Sequence, residues 1–128
     1  MPLSLLLIPA GTPLVEDGEG SIFDLAASET RTFLCTMEIT AQVEQESVEL
    51  SVWGSEDRET WEKRPLLIMP QRFYKGDTSQ ILDLSLRLEI HYIRARWNVF
   101  RWGRVAPQPM FVLGFTAAEI PAFSRQRA

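Results

Sequence analysis

Arg31-Thr32-Phe33-Leu34-Cys35-Thr36-Met37-Glu38-Ile39-Thr40-Ala41 reads as a strand with one buried side. Phe33, Cys35, Met37, Ile39 and Ala41 fall on one face, and Leu34, Thr36, Glu38 and Thr40 on the other. Side chains of an extended chain alternate between faces, so an apolar set at every second position points to a core.

The same period recurs on either side of this stretch. In Ser47–Gly54, Val48, Leu50 and Val52 alternate with Glu49, Ser51 and Trp53. From His91 to Phe100, Ile93, Ala95, Trp97 and Val99 alternate with Tyr92, Arg94, Arg96 and Asn98. From Pro109 to Thr116 the apolar set is Phe111, Leu113 and Phe115. The expected inner faces hold Phe23, Phe33, Cys35, Met37, Ile39, Val48, Leu50, Val52, Ile93, Trp97, Val99, Phe111, Leu113 and Phe115. No window of helical length carries a 3.6-residue repeat bounded by caps. Between the runs stand Gly11-Thr12-Pro13, Glu16-Asp17-Gly18-Glu19-Gly20, Gly54-Ser55-Glu56-Asp57-Arg58, Lys75-Gly76-Asp77 and Ala106-Pro107-Gln108-Pro109, all turn or loop chemistry.

Two segments read less simply. Ile81–Ile90 fits one long strand on Leu82, Leu84, Leu86, Leu88 and Ile90. It fits equally a strand ending near Leu84, then a bend or one-turn helix through Arg87 capped by Ser85. Met1–Gly11 has an apolar run at Leu3–Ile8 but no basic residue before it, which a secretory signal requires, so it reads as a first or edge strand. No stretch approaches the roughly 20 apolar residues of a membrane-spanning helix. The expected compartment is cytoplasmic, with association to a virion as the other setting.

The chain has 128 residues, 45% hydrophobic and 23% charged, a composition that supports one globular domain over 1–128 with its own core. The expected fold is all-β. It is a two-sheet antiparallel sandwich of about eight strands, jelly-roll or immunoglobulin-like, with at most one short helical turn. The core spans about residues 19–116, and 124–128 are expected to fray.

The net charge of −4 is unevenly distributed. Residues 1–62 hold 2 basic and 13 acidic side chains; residues 63–128 hold 11 basic and 4 acidic. An acidic strand pairing beside a basic one neutralises such a split locally. The expected partners are Glu44, Glu46 or Glu49 against Arg94 or Arg96. On that reading no extended basic field remains and nucleic acid is not a partner.

One cysteine, Cys35, removes any intrachain disulfide framework and any multi-cysteine zinc site. It alternates with core residues and reads as a small hydrophobe. One histidine, His91, leaves little scope for histidine-based catalysis. There is no Gly-x-Ser-x-Gly elbow, Gly-rich phosphate loop or dinucleotide fingerprint. Glu16, Asp17 and Glu19 lack EF-hand spacing, so they read as solvated loop charges before a calcium site. No catalytic residue, metal ligand or cofactor is expected.

Gly54-Ser55-Glu56-Asp57-Arg58-Glu59-Thr60-Trp61 is the most distinctive local motif. Asp57 is placed to accept backbone N–H groups two residues on, and Trp61 to return under the turn. Gly-Ser-x-Asp-x-x-x-Trp resembles the Ser-x-Asp-Gly-x-x-Trp hairpin of small uncharacterised bacterial and phage-type β-sandwich modules. A related turn occurs in some carbohydrate-binding and discoidin-like domains. The likeness extends over about residues 19–116 through Glu46–Ser55, Gly76, Tyr92-Ile93-Arg94-Ala95-Arg96-Trp97 and Pro109-Met110-Phe111-Val112-Leu113. Arg58 stands where that turn carries Gly, which leaves the turn type open. The resemblance implies fold more than function.

The expected function is a non-enzymatic structural or assembly module, phage-type by resemblance, that binds another protein or itself. The alternative is a carbohydrate-type binding module that uses surface Trp and Arg. Arg101, Trp102 and Arg104 are the leading binding residues, because Gly103 lets one loop present both arginines and an indole. Trp53, on the polar face of its strand, and Trp61 are the others.

Overall fold

The computed structural model describes residues 3–14, 17–42, 46–70, 76–101 and 111–121. Nine strands are found among them: β1 (Ser4–Leu14), β2 (Gly18–Glu19), β3 (Phe23–Asp24), β4 (Thr32–Gln42), β5 (Glu46–Ser55), β6 (Leu67–Ile68), β7 (Gly76–Asp83), β8 (Tyr92–Arg101) and β9 (Phe111–Glu119). No described residue is helical. All pairings are antiparallel, in one sheet of order β1-β9-β4-β7 and another of order β2-β8-β5-β6, with β3 also on β8.

This order decides between the two expected topologies. β2 and β3 meet consecutive parts of β8 and count as one interrupted strand. The chain then pairs outside inward: β1 with β9, β2/β3 with β8, β4 with β7, and β5 with β6. That is one long hairpin rolled into two sheets, the jelly-roll arrangement.

Ten of the fourteen residues expected on the inner faces are buried: Phe33, Cys35, Met37, Ile39, Val48, Leu50, Val52, Ile93, Leu113 and Phe115. Phe23, Trp97 and Val99 pack against them half-buried, and the Phe111 side chain lies outside the described residues. Leu5, Leu7, Ile8 and Leu14 of β1 join the core from upstream of the 19–116 span, and Ala117 from just beyond it. Gly11-Thr12-Pro13 is not a turn. It lies inside β1, where the register with β9 slips twice and Gly11 takes φ 80°. Similarly, Gly18 and Glu19 form β2 instead of a free loop.

The Ile81–Ile90 alternatives resolve to strand and bend. β7 stops at Asp83, and two turns follow, closed by Arg87 N–H to Leu84 O at 3.0 Å and Ile90 N–H to Arg87 O at 3.1 Å. Asp83 Oδ1, not Ser85, caps the first by accepting Ser85 N–H at 2.9 Å. Arg31, in the left-handed region at φ 57°, clasps this loop from the position just before β4. Its guanidinium donates to the carbonyls of Leu84, Arg87 and Ile90. Those turn carbonyls have no strand partner, so a fork of fixed donors satisfies several at once.

One end of the sandwich is joined through a buried carboxylate. Glu119, 6% exposed, continues the inward phase of Leu113, Phe115 and Ala117. Its Oε1 accepts Leu3 N–H at 2.9 Å. Its Oε2 accepts Thr30 N–H at 2.8 Å, Ser28 Oγ–H at 2.8 Å and Thr30 Oγ1–H at 3.1 Å. Burial raises its pKa, but the donors from Thr30, Leu3 and Ser28 outweigh burial and hold it at about 2.

Candidate functional site

The turn after β5 is built as its residue types dictate. Asp57 Oδ1 accepts Glu59 N–H at 2.9 Å and Thr60 N–H at 2.8 Å, and these bonds lower its pKa. Ser55, fully buried, accepts from Arg58 N–H and donates to Thr60 O. Trp61 returns to bridge Ser55. Arg58, where the resembling turn has Gly, sits at φ 74°. A side chain there costs about 1–2 kcal/mol, and the Arg58 guanidinium, 5.5 Å from the Tyr92 ring centroid, recovers part of it. Arg58→Gly is therefore expected to stabilise the fold by about 0.5 kcal/mol. Chemical denaturation reads the difference, and a destabilised variant would mean that the stack on Tyr92 outweighs the backbone.

Strands β5 and β8 present a ladder of rings and guanidinium groups on the outer face of their sheet. Register sets Trp53 opposite Arg94, Ser51 opposite Arg96 and Ser55 opposite Tyr92. Arg96 lies over the Trp53 ring at 4.4 Å, and Arg94 over Trp61 at 5.2 Å. Trp53 Nε1–H donates to Ser51 Oγ at 2.9 Å. Arg94 also donates to Gly20 O. Each arginine thus has a ring on one side and an acceptor on another.

The acidic partner differs from expectation. β5 does lie beside β8, but Glu49 faces Asn98 across the ladder, and Glu46 faces Arg101 in register with its side chain outside the described residues. Glu44 lies outside them altogether. The carboxylate that reaches the arginines is Glu19 of β2, 2.7 Å from Arg96 and 3.9 Å from Arg94. β2 covers the other flank of β8 and aligns Glu19 with Arg96. Sequence spacing cannot show this, because a two-residue strand carries no alternation. Asp17, from the same loop, accepts Val99 N–H at 2.8 Å. These carboxylates are joined to β8, not merely solvated. Between them lies a recess of about 360 Å³ lined by Asp17, Glu19, Ser51, Trp53, Arg96 and Asn98 among others.

Of the five expected binding residues, the structure brings Trp53 and Trp61 onto this face. Arg101 ends β8 with its side chain outside the described residues, and Trp102 and Arg104 lie outside them entirely, as do residues 124–128.

The opposite outer face has other chemistry. None of β1, β4, β7 and β9 contains Lys or Arg. Leu6, Leu34 and Ile81 are 53%, 40% and 59% exposed there. Register places Ile81 beside Leu34, Leu34 beside Ala118, and Leu6 beside Thr116. Thr116, Thr36 and Ser79 form the adjoining row, with Thr36 and Ser79 hydroxyls 2.9 Å apart. Strand alternation alone marks these residues as outward, but only the pairing sets Ile81, Leu34 and Ala118 in one row, with Leu6 at the end of the next.

Burial pushes the Cys35 thiol up to about 12, so it is inert as a nucleophile. His91 is exposed, with Nδ1 3.2 Å from Glu56 O. Among the described residues no group of three or more His, Cys, Asp or Glu is placed to hold a metal ion, and no helix is long and apolar enough to cross a membrane. Comparison of the chain with protein-family models, curated proteins and solved structures finds no match.

Proposed function

We propose that this chain is a non-enzymatic assembly module whose contact surface is the outer face of the four-stranded sheet. The observation that carries the reading is the row of Ala118, Leu34 and Ile81, with Leu6 on the diagonal in the adjoining hydroxyl row, on a sheet whose strands hold no cation. Protein contact surfaces are depleted of charge at their centre, and a contiguous exposed apolar patch marks such a surface. The arginines of the other sheet are held by rings and by Glu19, which argues against nucleic acid as the partner. A photo-crosslinking residue at Leu34 or Leu6 is expected to give discrete protein adducts in the producing cell, and one at Asn98 none. Absence of adducts at both face positions, or equal labelling at Asn98, overturns the reading.

A second reading, a saccharide site, is favoured by the recess that Trp53 lines together with Asp17, Glu19 and Asn98. A glycan-array signal abolished by Trp53→Ala would support it.

A further inference from the structure

Four strand edges bound the two sheets, and three are blunted. β1 contains Pro9 and Pro13 and two register shifts. β2, β3 and β6 are two residues each. Prolines, irregularities and brevity are the devices by which sheets avoid pairing with other chains. β7 has none of these, and its only charges, Asp77 and Asp83, stand toward its two ends. It runs eight residues without Pro or Lys, and its ladder to β4 is unbroken from Thr32–Asp83 to Ile39–Gly76.

The phase of that ladder shows which groups face outward. Leu84 N–H donates to Arg31 O, so the even residues of β7 bond β4. Asp77, Ser79 and Ile81 then point their N–H and C=O groups away from the sheet. No described strand lies against them.

We propose that β7 pairs antiparallel with β7 of a second copy, joining two four-stranded sheets into one continuous sheet. The proposal rests on the assembly reading and names its partner and edge. Charge selects the register. Outward groups must meet outward groups, which leaves two registers of greatest overlap, centred on Ser79 or on Gln80. Centring on Gln80 sets Asp77 directly against the partner's Asp83 on both sides of the axis, and like charges opposed across strands are unfavourable. Centring on Ser79 sets Asp77 against the partner's Ile81 and opposes no carboxylates. Such pairing is isologous and closes at two copies. It also carries the Leu34–Ile81 end of each apolar stripe up to the junction, on the same side of the joined sheet. A single strand edge buries little area, so the dimer belongs to the transient class.

The test is sedimentation velocity over a concentration series, with amide hydrogen exchange on the same samples. The wild type is expected to move from monomer toward dimer, while Asp77, Ser79 and Ile81 amides gain protection. Ser79→Pro removes an outward N–H and no backbone bond to β4, giving up there only the exposed hydroxyl contact with Thr36, so it is expected to weaken dimerisation about tenfold or more with the fold intact. Ile81→Lys, a charged edge residue, is the second variant and is expected to do the same. A wild type that stays monomeric overturns the proposal, while crosslinking at Leu34 tests the assembly reading separately. Dimerisation unchanged in both variants overturns it too, and then the assembly reading stands on another surface. Growth beyond two copies overturns the closed pair. Protection of these amides only by an added basic, extended peptide would overturn it in favour of a foreign strand.

Discussion

Glu119→Gln is expected to lower stability at neutral pH by about 2–3 kcal/mol. The carboxylate accepts from Leu3 N–H, Ser28 Oγ–H and Thr30 N–H, and shares the single Thr30 hydroxyl proton with Ile120 O, with both oxygens in use. A carboxamide keeps one acceptor oxygen and turns an NH2 group toward either the Leu3 N–H or the Ser28–Thr30 cluster, so donor faces donor. Glu119→Ala leaves every donor unanswered in a buried place and costs more, about 3–5 kcal/mol. The same residue gives a pH signature. Its folded pKa of about 2 lies below the ordinary 4.5, so its contribution is complete above about pH 4.5 and is lost as pH falls toward 2. Urea titrations of wild type and Glu119→Gln from pH 7 to pH 2 are expected to converge in that window. Parallel curves would mean that the carboxylate is not held ionised by its donors.

Gly20→Ala is expected to cost about 3 kcal/mol. A Cβ at residue 20 would stand 2.5 Å from the carbonyl oxygen of Leu7, which is backbone and has no rotamer by which to move. Gly20 is also fixed on its other sides: its N–H donates to Ala95 O at 2.8 Å, and its own carbonyl accepts from Arg94. The close approach joins β1 of one sheet to the β2/β3 connection of the other, so relief requires the two sheets to separate locally. Gly11→Ala serves as the contrast. Gly11 has φ 80° and nothing within 4 Å of its would-be Cβ, so only backbone strain of about 1 kcal/mol is expected. Equal losses from the two substitutions, measured by thermal or chemical unfolding, would show that the Leu7 contact is not the cause.

The long strands were legible because burial on one face leaves a period of two. β4, β5 and β8 each bury an apolar phase that alternates with a polar or mixed one, and the sequence shows this directly. β1 was legible as a strand but not as a core element. Its two slips move Leu7 and Ile8 into adjacent buried positions and break the alternation. β2, β3 and β6 are too short to carry any period, and with β2 the partnership of Glu19 with Arg96 was out of reach. Glu119 was within reach. It stands at the next inward position after Leu113, Phe115 and Ala117, where a carboxylate demands donors. Arg31 was not, since nothing in its neighbours announces a positive φ or a grip on a loop fifty residues away. Of the candidate site, the outward placement of Trp53 was legible. The guanidinium that covers its ring depends on the diagonal between two strands, which only register supplies.

The outside-inward pairing also sets the order in which the protein is completed on the ribosome. Ser4 pairs with Ala118, so the first long strand emerges with its partner still to be synthesised. At 5–20 residues per second the wait is on the order of 10 s. Through that interval Leu5, Leu7 and Ile8 have no native strand to lie against, and β4 and β5 emerge first as rival partners for them. Pro9 and Pro13, which have no N–H, interrupt the donor row of β1 during the wait, and Gly114 of β9 leaves room for Ala10 of the bulged segment. The prolines and bulges that blur the alternation of β1 thus also withhold part of the donor row that a wrong neighbour would need.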